Sequence, residues 1–270
     1  MKRTAAILAA MMILIPCAVA FAGDEGGVVQ KVGHGEVNWT GKVITVTGSA
    51  APNLKGGAVP AQIRLQTERA AELDAYRKVL EIVKGVNIDS KQTIGAQMQS
   101  SPEVKAKVEG VIKNMKRIDT KYYSDGGVDV VVQVALDGAL TESVVKSEPK
   151  KTETAAKDAA PSGFTGLVVD ARGLKLVPAL SPKIVDETGK PLYEAGTVEP
   201  EIMKASGAIA YFLSVDSAKK NAKVTDNPLI VKAIKVSDNG KSDLVVAKDD
   251  AAKLDGKDFL KKGRVVVVVD

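Results

Sequence analysis

The sequence predicts an α+β protein, with N-terminal helices packed on a mainly antiparallel sheet and a β-rich second domain after it. Three observations lead there. Residues 62–85 place apolar side chains at helical spacing, residues 128–136 alternate with period two, and residues 147–163, "SEPKKTETAAKDAAPSG", show no apolar periodicity. A segment of that last composition cannot bury enough apolar surface to order itself, so it reads as a flexible linker. It divides the chain into a first domain over 28–146 and a second over 164–270, both of ordinary size.

The chain opens "MKRTAAILAAMMILIPCAVAFAGDE". Lys2 and Arg3 precede an apolar run that closes on Ala20-Phe21-Ala22, the small-x-small pattern of a secretory signal, so residues 1–22 are expected to be removed before Gly23. Spanning a bilayer takes ~20 apolar residues, and this run is slightly short and carries Pro16. Cys17 opens a second reading, an outer-membrane lipoprotein, and membrane contact is expected only if Cys17 is lipidated; Pro16 is a poor residue to precede a lipidated cysteine. The primary expectation is a periplasmic protein. Cys17 is the sole cysteine, so cleavage leaves a chain without disulfides or thiol chemistry. It also lowers the formal charge from +5 by the two units of Lys2 and Arg3. So small and dispersed an excess does not point to nucleic acid.

Within the first domain, "NWTGKVITVTGSA" reads as a β-branched strand closing on Gly48. A helix then begins near Ala61 or Gln62. Leu73, Tyr76, Leu80 and Val83 are spaced three, four and three apart and define its expected buried stripe, with Ala70, Ala71 and Ala75 keeping the flank small. Asp74 with Lys78, and Arg77 with Glu81, stand at i,i+4 on the wet side. Gly85 is placed to end the helix in a left-handed cap. A second helix is expected after Ser101, with Pro102 at its first position and Val104, Val108, Val111 and Met115 as its stripe. "RIDTKYYSDGGVDVVVQVAL" follows as a hairpin turning at "SDGG", and a short helix over 140–145 ends the domain.

In the second domain, "FTGLVVDARGL", "PKIVDETGKPLY", "GAIAYFLSV", "NPLIVKAIKVSDNGKSDLVVA" and "RVVVVVD" read as strands, and "AKDDAAKLDG" and "DFLKKG" as short helices. Five consecutive valines, Val265 to Val269, suggest a strand covered on both faces.

Residues that carry chemistry are scarce. His34, the single histidine, lacks partners for a metal site and reads as an exposed loop residue. Ser143 and Lys146 match a serine–lysine pattern by letters only, and no G-x-S-x-G elbow exists. Asp170 is expected to bond a turn or pair with Arg172; as a catalytic acid it would need a second carboxylate, such as Asp186 or Glu194, across a cleft. Asp238-Asn239-Gly240 fits a hairpin turn, without the spacing of a calcium loop, and Gly240-Lys241-Ser242 lacks the earlier glycine of a phosphate loop. Neither a metal nor a cofactor is expected, and the chain reads as a non-enzyme.

The stretch "RLQTERAAELDAYRKVLEIVKGVNIDS", 64–90, resembles the amino-terminal domain of the flagellar assembly protein T (FlgT) family and the related LPP-twenty family of envelope lipoproteins. The matching positions are Arg69, Ala70, Ala71, Asp74, Ala75, Tyr76, Arg77, Leu80, Gly85, Val86 and Ser90, and the resemblance covers the first domain only. It implies an envelope or flagellar assembly factor acting through protein–protein contacts, with envelope or basal-body proteins as partners and self-association among the contacts allowed. The alternative is a periplasmic small-ligand or glycan-binding module, which would use Tyr193, Tyr211 and Phe212 as its few aromatic platforms.

Overall fold

The computed structural model describes residues 27–54, 59–145, 163–237 and 241–270. The expected signal segment with Cys17, Ala20, Ala22 and Gly23, the linker apart from Gly163, Lys146, and the Asp238–Gly240 turn lie outside them. The chain forms two sheets with eight α-helices among the described residues, an α+β architecture as expected.

The first sheet is antiparallel throughout, in the order β1-β2-β3-β5-β4. Its strands are β1 (Val29–Val32), β2 (Gly35–Asn38), β3 (Val43–Ala50), β4 (Lys116–Tyr122) and β5 (Val128–Ala135). Helices α1 (Pro60–Gly85), α2 (Ile94–Ser100) and α3 (Pro102–Lys113) lie between β3 and β4, and α4 (Ala139–Val144) follows β5. The alternation in β5 does what its period requires: Val128, Val130, Val132 and Val134 are buried.

Helix α1 starts where its sequence suggests but turns a different face inward. Its buried residues are Thr67, Ala71, Ala75, Val79, Ile82 and Val83, while Leu73 is 51% exposed and Tyr76 and Leu80 are half-buried along the flank. The reason is distance. A Cβ added to Gly48 on β3 would sit 2.2 Å from the Ala71 carbonyl oxygen and 2.4 Å from the Ala75 amide nitrogen. The helix backbone rests on the sheet backbone, and only alanine fits at the line of closest approach. The larger side chains fill the wedge to either side. The helix also ends differently from expectation: Gly85 does not take a left-handed conformation, and Val86 leaves the helix extended with its N–H on the Val83 carbonyl.

Helix α3 begins as read. Pro102 is its first residue, and the Ser101 hydroxyl accepts from the Val104 amide. Ser101→Ala is expected to cost about 1 kcal/mol, measurable as a lower urea midpoint with unchanged slope. Helix α2, capped by the Thr93 hydroxyl on the Ala96 amide, was not expected; two turns bury only Ile94 and Met98, too few residues to show a period.

The second sheet is mixed, in the order β8-β7-β11-β10-β6-β12-β9. Its strands are β6 (Gly166–Asp170), β7 (Ile184–Val185), β8 (Pro191–Tyr193), β9 (Ile209–Phe212), β10 (Pro228–Val236), β11 (Leu244–Val246) and β12 (Val265–Val268). Strand β6 pairs in parallel with β10 and β12, and β12 with β9, while β10/β11 and β7/β8 are antiparallel. The valine run is β12, buried along its whole length between β6 and β9. Val265 and Val267 face the main core; Val266 and Val268 face a smaller cluster with Ala218 of helix α6 (Val215–Lys219). Helices α7 (Lys248–Leu254) and α8 (Asp258–Lys261) occupy their expected places. Helix α5 (Pro200–Ser206), like α6, is too brief to show a period in the sequence.

The two sheets share one continuous apolar cluster. Trp39 meets Tyr211 edge to face at 5.8 Å. Leu180 and Ser181, in the loop after β6, donate backbone hydrogen bonds to the carbonyls of Asn87 and Ile88 after α1, at 2.9 and 2.7 Å. Asp243 is buried and accepts from the Ser90 hydroxyl at 2.5 Å and the Lys183 amide at 2.8 Å. The units therefore dock through apolar packing, main-chain hydrogen bonds and a buried carboxylate.

Candidate functional site

The residues singled out from 64–90 do not converge. Arg69, Ala70 and Arg77 lie exposed on α1, and Gly85 ends it in the open. Tyr76 and Leu80 pack beside the core. Asp74 is anchored: it pairs with Lys78 at 2.7 Å and accepts from the Ser49 amide at 2.9 Å. Lys78 in turn donates to the Thr47 carbonyl, so this pair fastens the helix to β3.

The acids considered for chemistry are occupied locally. Asp170 binds the Arg172 guanidinium through both oxygens, at 2.9 and 2.7 Å, and this contact holds its carboxyl below the usual carboxylate range. Asp186 accepts from the Thr188 hydroxyl and amide and from the Lys190 amide, closing the β7–β8 turn. Glu194 pairs with Lys183. Ser143 donates to the Ala139 carbonyl within α4, and His34 is exposed in the β1–β2 turn. Tyr193 and Tyr211 are not platforms. Both are buried, and their hydroxyls donate to the Ala208 and Ala179 carbonyls. A buried ring cannot stack on a sugar.

What the fold does bring together is basic. A cleft of about 470 Å³ opens between the β2–β3 turn of the first unit and the β9, α5 and α6 region of the second, with Lys42, Lys223, Lys262 and Arg264 on its walls. Helix α5 positions two of them. Its last turn leaves the Ser206 and Gly207 carbonyls without helical partners, at the negative end of the helix. Lys42 donates to the Ser206 carbonyl from one side. Lys223 donates to the same carbonyl at 3.0 Å, and to the Gly207 carbonyl at 2.8 Å, from the other. Gly207 has φ of +63° with ψ of 177°, a conformation that favours glycine, and a Cβ there would stand 3.3 Å from the Lys42 ammonium. Lys42 itself holds a left-handed backbone, φ 54°, which costs an L-residue about 1 kcal/mol.

Two ammonium groups on one carbonyl raise an electrostatic problem. Burial, with the Lys42 charge second, pushes the Lys223 ammonium down to about 7; Asp137 opposes this. Burial also lowers Lys42, again against Asp137. Arg264 donates to the Thr165 carbonyl at 3.3 Å, and Lys262 pairs with Asp258 at 2.6 Å. Among the ion pairs of the described residues, carboxylates engage Lys262 but not Lys42, Lys223 or Arg264. Sequence reasoning missed this cluster because its members are ordinary lysines and an arginine, far apart in the chain, each beside no motif.

Residues 166–270 match a family model described as Treponema pallidum Tp0624, second domain. The match begins at the first residue of β6 and spans the second sheet, less than half of the chain, and supports a two-domain organisation. No curated protein matches the chain.

Proposed function

We propose that this chain is a non-enzymatic assembly factor of the bacterial cell envelope, exported to the periplasm and working through protein–protein contacts. The observation that carries this reading is strand β4. Among the described residues it pairs only with β5 and ends the first sheet, and it bears exposed Ile118 and Tyr122, with Tyr123 just beyond. An open strand edge with apolar side chains is a template for an added strand. Its neighbour α1 stiffens it: Arg117 binds Glu68 and Glu72, and the Arg64 guanidinium stacks 4.2 Å over the Tyr122 ring. The resemblance of residues 64–90 to the FlgT and LPP-twenty families supports the narrower version, a place at the flagellar basal body.

A photo-crosslinking residue at Ile118 in living cells tests the reading. The expected result is a discrete adduct with an envelope protein, lost when Tyr122→Lys charges the edge and absent when the crosslinker stands at exposed Gln66 on α1. Equal labelling from both positions would overturn it. Basal bodies isolated with and without the gene test the narrower version, through co-purification and ring density.

The second reading, a small-ligand module, is favoured by the basic junction cleft and not by aromatic platforms.

A further inference from the structure

We propose that the cleft between the two units is a binding site for a small doubly charged oxyanion, a sulfate or phosphate group, held by Lys42, Lys223 and Arg264. The inference deepens the ligand-binding reading and is independent of the strand-edge contacts.

Four side chains of one sign line a single cavity, Lys42 from the β2–β3 turn of the first unit and the others from the segments after α6 and α8 of the second. Lys42 pays for its place with a left-handed backbone, the kind of local strain that persists where surrounding structure or a ligand compensates it. Asn221 and Thr40 also reach the cleft. The Thr40 hydroxyl is already committed, accepting from the Val28 amide and donating to the Tyr211 carbonyl. It ties the rim of the first unit to β9. Ala210 and Phe212 complete the lining with apolar surface.

A helix-capping role explains why the lysines touch α5, but not why there are two of them. One ammonium has donors enough for the two last carbonyls, and Lys223 already reaches both. The second cation adds repulsion. An oxyanion between Lys42, Lys223 and Arg264 converts that repulsion into attraction, because each lysine then gains an opposite charge. The charged groups facing Lys223 are Lys42 from the β2–β3 turn, Asp137 after β5, and Lys262 and Arg264 after α8; Asp137 is the acid among them that opposes protonation loss, and Asp258 is engaged by Lys262.

The test is calorimetric titration of the purified chain with sodium sulfate against a chloride background of equal ionic strength. Sulfate keeps its charge from pH 6 to 8.5, so any pH dependence belongs to the protein. The expected result is saturable binding at pH 6 that weakens about ten-fold by pH 8.5, as the site must first take up a proton. Arg264→Gln is expected to weaken it about ten-fold by removing a charged hydrogen-bond donor, and Lys31→Gln, on β1 and not in the cleft lining, to leave it unchanged. Should Arg264→Gln unfold, Lys42→Gln reads the same loss. A sugar phosphate binding more tightly than sulfate would assign the natural ligand to phosphate esters, and equal binding to free oxyanions. No saturable heat at pH 6, or binding that neither substitution weakens, overturns the proposal.

Discussion

Gly48→Ala is expected to lower the stability of the first unit by about 3 kcal/mol or more, at or beyond the upper end of overpacking effects. The new methyl would meet backbone atoms of α1, the Ala71 carbonyl oxygen at 2.2 Å and the Ala75 amide nitrogen at 2.4 Å. Backbone cannot change rotamer. Either α1 lifts from β3 or the strand bows away, and both loosen the packing of Ile44, Val46, Val79 and Ile82. A thermal melt should show a drop of roughly 10 °C for a chain of this size. Ala75→Gly in the same background removes the nearest side-chain contact, the Ala75 methyl at 2.6 Å, but not the backbone contacts, so it should rescue little. An unchanged melting temperature for Gly48→Ala would show that the helix does not rest on β3 in this way.

The second large effect is a pH dependence set by Lys223. Its ammonium is pushed down to about 7 in the folded protein, against an ordinary value of 10.5. Between those values the unfolded chain binds a proton that the folded chain does not, so stability rises with pH across that window and is flat below it. Over pH 7 to 9.5 this group contributes a rise on the order of 2 kcal/mol, after allowance for its partial exposure. Lys223→Met removes the titration. The variant loses the hydrogen bonds to the Ser206 and Gly207 carbonyls at every pH, but its deficit relative to the parent should be smaller at pH 7 than at pH 9.5. Urea midpoints of both proteins at the two pH values check this. A deficit that does not change with pH would mean that Lys223 stays protonated in the folded state throughout. Added sulfate should flatten the parent's dependence, since an anion in the cleft raises the lysine again.

The parts of this fold that were legible in the sequence are the local ones. Pro102 behind Ser101 marks the start of α3 because capping needs only neighbouring atoms. The period of β5 is visible because one face of that strand is solvated less than the other. The inward face of α1 was not legible, although its length was. Hydrophobic spacing favours Leu73 and Leu80, but the docking distance to Gly48 reserves the centre of the contact for Ala71 and Ala75. That constraint belongs to the partner strand, not to the helix. The junction cleft was invisible for a related reason. Lys42 meets Lys223 and Arg264 only when the two units dock, and burial gives the two lysines their character. The bland reading of Asp170 as the partner of Arg172, by contrast, needed only two residues of separation and is what the structure contains.

The place of β12 in its sheet bears on how the protein is made. Strand β6 finds its two neighbours, β10 and β12, only after long intervals of chain, the second of them roughly a hundred residues later. As the polypeptide emerges from a ribosome, β6 and β9 wait as apolar edges until residues 265–268 arrive between them. Completion of this half thus waits for residues 265–268. A second half that stops short of β12 would leave both edges open to pairing with other chains.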